Sequence, residues 1–141
     1  MSDIDLALPV PLPLPQRTEL NAPYWDSLAQ GQLSFQRCRR CGHAWLPART
    51  ECPSCLEADW HWQRASGHAK VVSWVVFHIA YHEAFKNRLP YNVAIVELAE
   101  GPRLISNVVG LADPGDLTID QALNLRIERE GDFALPRFEP A

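Results

Sequence analysis

Apolar and polar residues alternate through much of the second half of this chain. Residues 69–80 (AKVVSWVVFHIA), 91–100 (YNVAIVELAE), 103–110 (RLISNVVG) and 123–130 (LNLRIERE) each carry the period of two, rich in β-branched residues, that marks strands. The segments between them, NRLP, EGP and ADPGD, hold turn residues, and LPRF at 135–138 is expected to form a short last strand. Five short strands without a convincing helix predict a small antiparallel barrel of the OB type over residues 67–141.

Before Gly67 the pattern changes. Prolines 9, 11, 13 and 15 alternate with Val10, Leu12 and Leu14, which forbids helix and favours an extended polyproline-like arm, assigned to residues 1–20. Large aliphatics in a solvated tail are badly placed, so Leu12 and Leu14 are candidate contacts to a partner. The stretch NAPYWDSLAQGQL from Asn21 predicts a short helix capped by Asn21, with Pro23 in the first turn, Trp25, Leu28 and Ala29 on one face, and Gly31 ending it. Such a helix is too short to stand alone. Tyr24 and Trp25 must therefore pack on this chain's own ribbon or on another subunit, where Tyr and Trp are typical anchors. Residues 33–37 and the segment ADWHWQRASG read as strands flanking a compact unit over 21–66.

That unit contains every cysteine in the chain. Cys38 and Cys41 form one C-x-x-C pair, Cys52 and Cys55 a second, ten residues apart. Each pair puts two sulfurs on one tight turn, and Gly42 and Pro53 suit a backbone whose amides face the thiolates. Four sulfurs at about 2.3 Å make a closed tetrahedral zinc site with no position left for water or substrate, so the ion is expected to be structural. Iron in a rubredoxin-type site is the alternative metal. His43 is surplus to four thiolates. Trp45, Pro47, Trp60 and Trp62 are expected to cover the metal.

Composition narrows the function classes. The 141 residues suffice for one domain or two small units sharing a core, and 47% of them are hydrophobic. A formal charge of −4 argues against a surface tuned to polyanions. The first residues carry two aspartates where an export signal would be basic, and no run approaches the roughly 20 apolar residues of a membrane helix. Reduced cysteines in metal-type pairs point to the cytoplasm. No nucleophile elbow, phosphate loop, dinucleotide fingerprint or H-E-x-x-H helix occurs, and no cysteine is left over as a nucleophile. His78, Tyr81, His82 and Glu83 form one local titratable cluster, with 78 and 82 on one face if that segment were strand. Arg37, Arg39, Arg40 and Arg49 add four positive charges around the knuckles and are candidates for contact with phosphate, either of nucleic acid or of coenzyme A.

The order of features is more telling than any one of them: PYWDSLAQGQLSFQRCRRCGHAWLPARTECPSC, then W-x-x-A-S-G, then LPYNVAIVELAEGPRLISNVVG, and a terminal LPRFEP. From Tyr24 to Pro140 this resembles the zinc-ribbon plus OB-fold proteins once grouped as a domain of unknown function and now associated with acyl-CoA metabolism. The resemblance implies a mainly β chain: a short N-terminal helix, a rubredoxin-like zinc ribbon and an OB barrel. It also implies a non-catalytic subunit that assembles, as a hetero-oligomer, with a thiolase-like enzyme (thiolase, acyltransferase or aldolase) acting on acyl-CoA, the partner holding the catalytic groups. Zinc would be bound by Cys38, Cys41, Cys52 and Cys55, acyl-CoA would be shared with the partner, and Arg37, Arg39, Arg40 and Arg49 would be candidates for the coenzyme's phosphates. Tyr24, Trp25, Leu12 and Leu14 would be the partner contacts. The chain departs from the family at Asp120, where glycine is usual, so that turn is expected to avoid a left-handed conformation. A nucleic-acid-binding ribbon and OB module, and a rubredoxin-like electron carrier, are the competing readings.

Overall fold

The computed structural model describes residues 11–141, and the first part of the proline arm, including Pro9 and Val10, lies outside them. Helix α1 (Ala22–Ala29) buries Leu28, and Gly31, at φ +86°, turns the chain out of it. Asn21 takes the N-cap position as expected, but its side chain makes no capping hydrogen bond. Its side-chain oxygen instead accepts from the Thr18 amide at 2.6 Å, and its amide nitrogen donates to the Gln16 carbonyl at 3.0 Å, so it ties the arm to the helix.

A three-stranded antiparallel ribbon follows: β1 (Ser34–Cys38) lies between β2 (Ala44–Trp45) and β3 (Trp60–Arg64). The second sheet runs β6-β5-β4-β7-β8, built from β4 (His68–Phe77), β5 (Tyr91–Leu98), β6 (Arg103–Ser106), β7 (Ala122–Glu130) and β8 (Phe133–Pro140). It curls until its two edges meet. Just beyond β6, Val108 bridges Phe138 in parallel, with the Val109 amide donating to the Phe138 carbonyl at 2.7 Å. This is an OB-type barrel joined to a zinc-ribbon fold, as the sequence predicts.

The alternation along β5 shows how the strands divide their faces. Asn92, Ala94, Val96 and Leu98 point inward and are buried, while Val93, Ile95 and Glu97 face out. Phe35 of the ribbon and Leu28 and Leu33 before it join Val71, Val96, Leu123 and Phe138 of the barrel in one buried cluster, so ribbon and barrel share a core. Asn92 is buried among these residues because both ends of its amide are used: it donates to the Val108 and Pro114 carbonyls and accepts from the Val108 amide.

Several segment lengths differ from the pattern reading. The first barrel strand stops at Phe77, three residues early, so His78 and His82 do not share a strand face. His82 instead opens the 3₁₀ turn Glu83–Arg88, its Nδ1 accepting from the Ala84 amide at 3.1 Å. The last strand is not short: all eight residues pair with β7. Asp120 overturns the expected turn geometry, because it adopts φ +66°, the left-handed conformation. Aspartate is among the few non-glycine residues that tolerate this region. Its amide donates to the Val71 carbonyl and its carboxylate lies 3.7 Å from Lys70 Nζ.

Near the barrel's closure, Glu130 accepts from Arg88 at 2.7 Å and from Arg137 at 3.2 Å, and Arg137 also reaches Glu128 at 2.9 Å. The Arg88 guanidinium, with Arg137 assisting against partial desolvation, holds the Glu130 carboxyl below the usual carboxylate range. A carboxylate depressed in the folded state adds stability above its unfolded value, near pH 4.3, and loses it as pH falls through the folded one. Glu130→Gln should therefore cost about 1–2 kcal/mol in urea melts at pH 7 and much less at pH 3. A difference that stays constant between the two pH values would show that the charge is not what stabilises this corner.

Candidate metal centre and its surroundings

Cys38 ends β1 and Cys41 lies on the tight turn after it; Cys52 and Cys55 lie on a matching turn before β3. The two turns repeat one backbone pattern. The Cys38 amide donates to the His43 carbonyl and the Cys52 amide to the Glu57 carbonyl, both at 2.8 Å, while Gly42 and Leu56 return bonds to the carbonyls of Cys38 and Cys52. Gly42 and Leu56 occupy equivalent places and both have positive φ, +80° and +68°. A leucine in that conformation is unusual, and the knuckle imposes it.

All four Sγ atoms lie within 4.8 Å of one another, with Cys38 to Cys55 and Cys41 to Cys52 both at 3.6 Å. A tetrahedron with bonds of about 2.3 Å has edges of about 3.8 Å, so the four sulfurs fit a single zinc ion. The amides of Arg40 and Cys41 point at the Cys38 sulfur at 3.3 and 3.4 Å, and that of Ser54 at Cys52 at 3.4 Å. The Cys41 amide is the main reason that the Cys38 thiol is held down at about 7, despite burial. The Cys55 thiol goes the other way: against the lowering Glu57 backbone hydrogen bond, burial and hydrogen bonds with the three neighbouring cysteines push it up to about 12. Four sulfur ligands leave no position for chemistry. Among the described residues these cysteines are the sole group of three or more potential ligands that could hold a metal.

Trp45 and Trp60 pack against Cys38 and Cys52, edge to face with each other, and Trp60 also donates to the Thr50 carbonyl. Pro47 does not join this cover and lines a groove instead. Trp62 meets the cover at Trp60, edge to face at 6.0 Å between ring centroids, and lies 6.4 Å from the Tyr24 ring. His43 is exposed and stacks on Trp45. Gln36 is a residue the sequence reading missed. Fully buried, it donates to the Arg49 carbonyl and accepts from the Arg49 amide, both at 2.8 Å, pinning the loop after β2 to the central ribbon strand. A polar residue in a strand gives no sequence signal that its partner is thirteen positions away.

The four arginines meet different neighbours. Arg37 spans from Gln63 to the Gly42 carbonyl, Arg39 pairs with Asp59 at 3.1 Å, and Arg40 lies 3.9 Å from Glu57. The side chain of Arg49 makes no ion pair among the described residues and is exposed. Trp25 meets Phe133 of β8 edge to face at 5.1 Å and Tyr24 at 4.9 Å, and both rings pack on the core. Burial pushes the Tyr24 phenol well above its ordinary value. Leu12 is half-buried; Leu14 is exposed and rests over Gly131 in the β7–β8 turn, where an added Cβ would meet it at 3.3 Å.

Between α1, the Leu46–Ala48 loop, β6 and β8 runs a mainly apolar groove of about 780 Å³. It meets the outer face of the barrel at Ile95 and Ile105, which are direct cross-strand partners. Farther along that face Val75 pairs with Val93. Val75 is 54% exposed and Ile105 73%.

Residues 25–61 match the family model for the ChsH2 rubredoxin-like zinc ribbon domain, and residues 62–128 that for the ChsH2 C-terminal OB-fold domain. The chain belongs to the ChsH2-type DUF35 family. A DUF35 domain-containing scaffold protein of Methanocaldococcus jannaschii is 35% identical over 100 residues, which cover 68% of this chain and 70% of that protein. A probable enoyl-CoA hydratase alpha subunit of Thermomonospora curvata is 38% identical over 122 residues, 86% of this DUF35 chain, which spans only 37% of that longer protein. Among solved structures, a chain described as the Ltp2-ChsH2(DUF35) aldolase superposes with a TM-score of 0.79 at 36% identity, covering 90% of this chain and 98% of that one. A DUF35 protein of unknown function from Sulfolobus solfataricus, 16% identical with a TM-score of 0.63, shares the fold. No helix among the described residues of this DUF35 protein is long and apolar enough to cross a membrane.

Proposed function

We propose that this DUF35 protein is a non-catalytic subunit of a thiolase-like enzyme of acyl-CoA metabolism, bound to it as a cytoplasmic hetero-oligomer and helping to seat the acyl-CoA substrate. The observation that carries this reading is the outward face of β4, β5 and β6. Val75, Val93, Ile95 and Ile105 adjoin there across three strands, on a barrel whose interior is already filled. A solitary soluble domain would keep charges on such a face; an apolar sheet surface continuous with a groove is suited to a partner. The closed zinc site supports a scaffolding role because it fixes a fold and offers no open coordination position.

The relatives fit this reading. One is named a scaffold protein, another a subunit of an enoyl-CoA hydratase, and the solved ChsH2(DUF35) chain is described together with Ltp2 as an aldolase. The outward face is aliphatic at its centre, with its aromatic pair Phe77 and Tyr91 at one end and its basic residues Lys70 and Arg103, both paired with Glu97, at the other. It lacks the interleaved aromatic and free basic residues that single-stranded nucleic acid uses, so the proposal includes no nucleic-acid role. Tyr24, Trp25, Leu12 and Leu14 remain proposed secondary contacts at the rim. The two rings spend much of their surface within the chain, which moves the centre of the proposed interface to the barrel face.

Native mass spectrometry of the protein isolated gently from its own host, with metal analysis on the same sample, tests this. The expected result is a complex with a thiolase-sized subunit and one zinc per DUF35 chain. Val75→Asp should reduce recovery of that subunit at least about tenfold while zinc content and melting stay near wild type, since the side chain already faces water. Recovery of a lone chain, or a Val75→Asp protein that assembles normally, would count against it.

A further inference from the structure

We infer that the free edge of β6 is a docking site for the proline arm of a second copy of this chain, which adds there as a short extra strand. Such a contact lies outside the function proposed above, and it occupies Leu12 and Leu14 while no enzyme subunit is bound. Register defines the edge. The Leu98 amide donates to the Pro102 carbonyl at 2.8 Å, and Val96 and Ala94 stand opposite Leu104 and Ser106. Hydrogen-bonded pairs alternate along an antiparallel ladder, so Leu104 and Ser106 bond β5 while Arg103 and Ile105 turn their amides and carbonyls the other way. That way lies the groove between β6 and β8. β6 ends the sheet with β5 as its one strand neighbour, and β8 meets the chain only beyond β6, at Asn107–Val109. Among the described residues, the amides and carbonyls of Arg103 and Ile105 have no hydrogen-bond partner, and the Ile105 side chain beside them is 73% exposed. An edge of that kind accepts an extended segment.

The arm has the matching chemistry. Successive residues of an extended segment turn their backbone groups to opposite edges, so in residues 11–15, PLPLP, the amides of Leu12 and Leu14 share one edge and the prolines share the other. Such a segment can pair on one side only. With Leu12 opposite Ile105 and Leu14 opposite Arg103, its amide edge faces β6 and its blocked edge faces β8 at Pro136, which has no amide either. Leu12 then covers Ile105, and Pro13 enters the groove among Leu104, Leu46 and Trp25, which line it. Within its own chain the arm lies elsewhere: Leu14 rests over Gly131 in the β7–β8 turn and stays 45% exposed. Thr18 and Leu20, at the arm's base, line the groove itself. A two-fold axis beside the groove therefore lets two arms cross at once, an isologous exchange. Exchange makes the contact twice, so about 500 Å² buried by each arm reaches the roughly 1,000 Å² of a specific interface. Five extended residues, about 16 Å long and laid in a groove, can cover that area.

Sedimentation velocity of the zinc-loaded full chain, with no enzyme subunit present, tests this. The expected result at about 100 µM is mainly dimer that dissociates on dilution. Leu12→Pro combined with Leu14→Pro removes both pairing amides from a segment outside ribbon and barrel. This double variant should raise the dimer Kd at least about tenfold while zinc content and circular dichroism stay as in the wild type. Ile105→Pro deletes the matching amide on β6, one that the β5 ladder does not use, and should weaken the dimer likewise. Mixing the two variants should restore part of the association, because each mixed pair keeps one intact arm facing one intact edge. Val75→Asp, which reads the enzyme contact, should leave the dimer as it is. A lone chain at that concentration, a dimer indifferent to the double variant, a mixture no tighter than either variant alone, or a dimer lost on Val75→Asp would overturn the exchange.

Discussion

Cys52→Ser is expected to yield a chain that purifies without stoichiometric metal, lacks a cooperative thermal transition and is cleaved rapidly by protease. Cys52 is fully buried, lies 3.6 Å from the Cys41 sulfur and accepts an amide hydrogen from Ser54. Loss of one thiolate opens the coordination shell and leaves the other three sulfurs crowded around a weakly held ion. Structural zinc contributes about 10–16 kcal/mol to the folding of small ribbons in apparent terms. That equals or exceeds the whole net stability of an ordinary domain, about 5–15 kcal/mol, so no surface interaction in this chain can offset it. Because Phe35 carries the ribbon into the barrel core, the damage should reach β4 to β8 as well. Metal analysis and circular dichroism on the same preparation decide the matter. A metal-free Cys52→Ser protein that melts at the wild-type temperature would show that the knuckles do not staple the fold.

The metal site was the most legible part of the sequence because its information is local. Each C-x-x-C brings its own turn, and the amides that point at the sulfurs come from within three residues of them. Strands were legible for a related reason: a half-buried strand must alternate, and β5 alternates along its whole length. What the pattern could not supply is information held in pairs of distant residues. The end of β4 at Phe77 and the length of β8 follow from which neighbour each strand finds, and the closure through Val108 and Phe138 joins positions 30 apart. The arginine patch illustrates the same limit. Read along the chain, Arg37, Arg39, Arg40 and Arg49 have no acid among them, yet Asp59 and Glu57 fold back from beyond the second knuckle to meet two of them.

Asp120 shows a different kind of limit. The family habit of glycine suggests a demand that only glycine meets, and its absence an altered geometry. The backbone nevertheless takes a left-handed turn, with Asp120 tolerating it while its amide bonds Val71 and its carboxylate approaches Lys70. Residue type constrains backbone conformation by cost, and a cost of about 1 kcal/mol is readily offset by a hydrogen bond in place.

Phe35→Ala carries the other large effect, and it tests whether the ribbon and barrel are one cooperative unit. The ring is completely buried in the cluster that also holds Leu28 and Leu33 on one side and Val71, Val96 and Phe138 on the other. Truncating a buried phenylalanine to alanine costs about 3–5 kcal/mol through lost transfer energy and the cavity left behind. For a chain of this size that corresponds to a fall of at least about 10 °C in melting temperature. If ribbon and barrel were separate folding units held together by zinc and a short linker, the substitution would split melting into two steps and spare the barrel. With a shared core it should instead shift a single transition, seen alike by tryptophan fluorescence, which reports mainly on the ribbon and α1, and by far-ultraviolet circular dichroism, which reports on all strands. Zinc content should stay at one per chain below that transition, since Phe35 supplies no ligand. Two resolved transitions, or a cost below about 1 kcal/mol, would mean that the buried cluster joins the two sheets in space without joining them energetically.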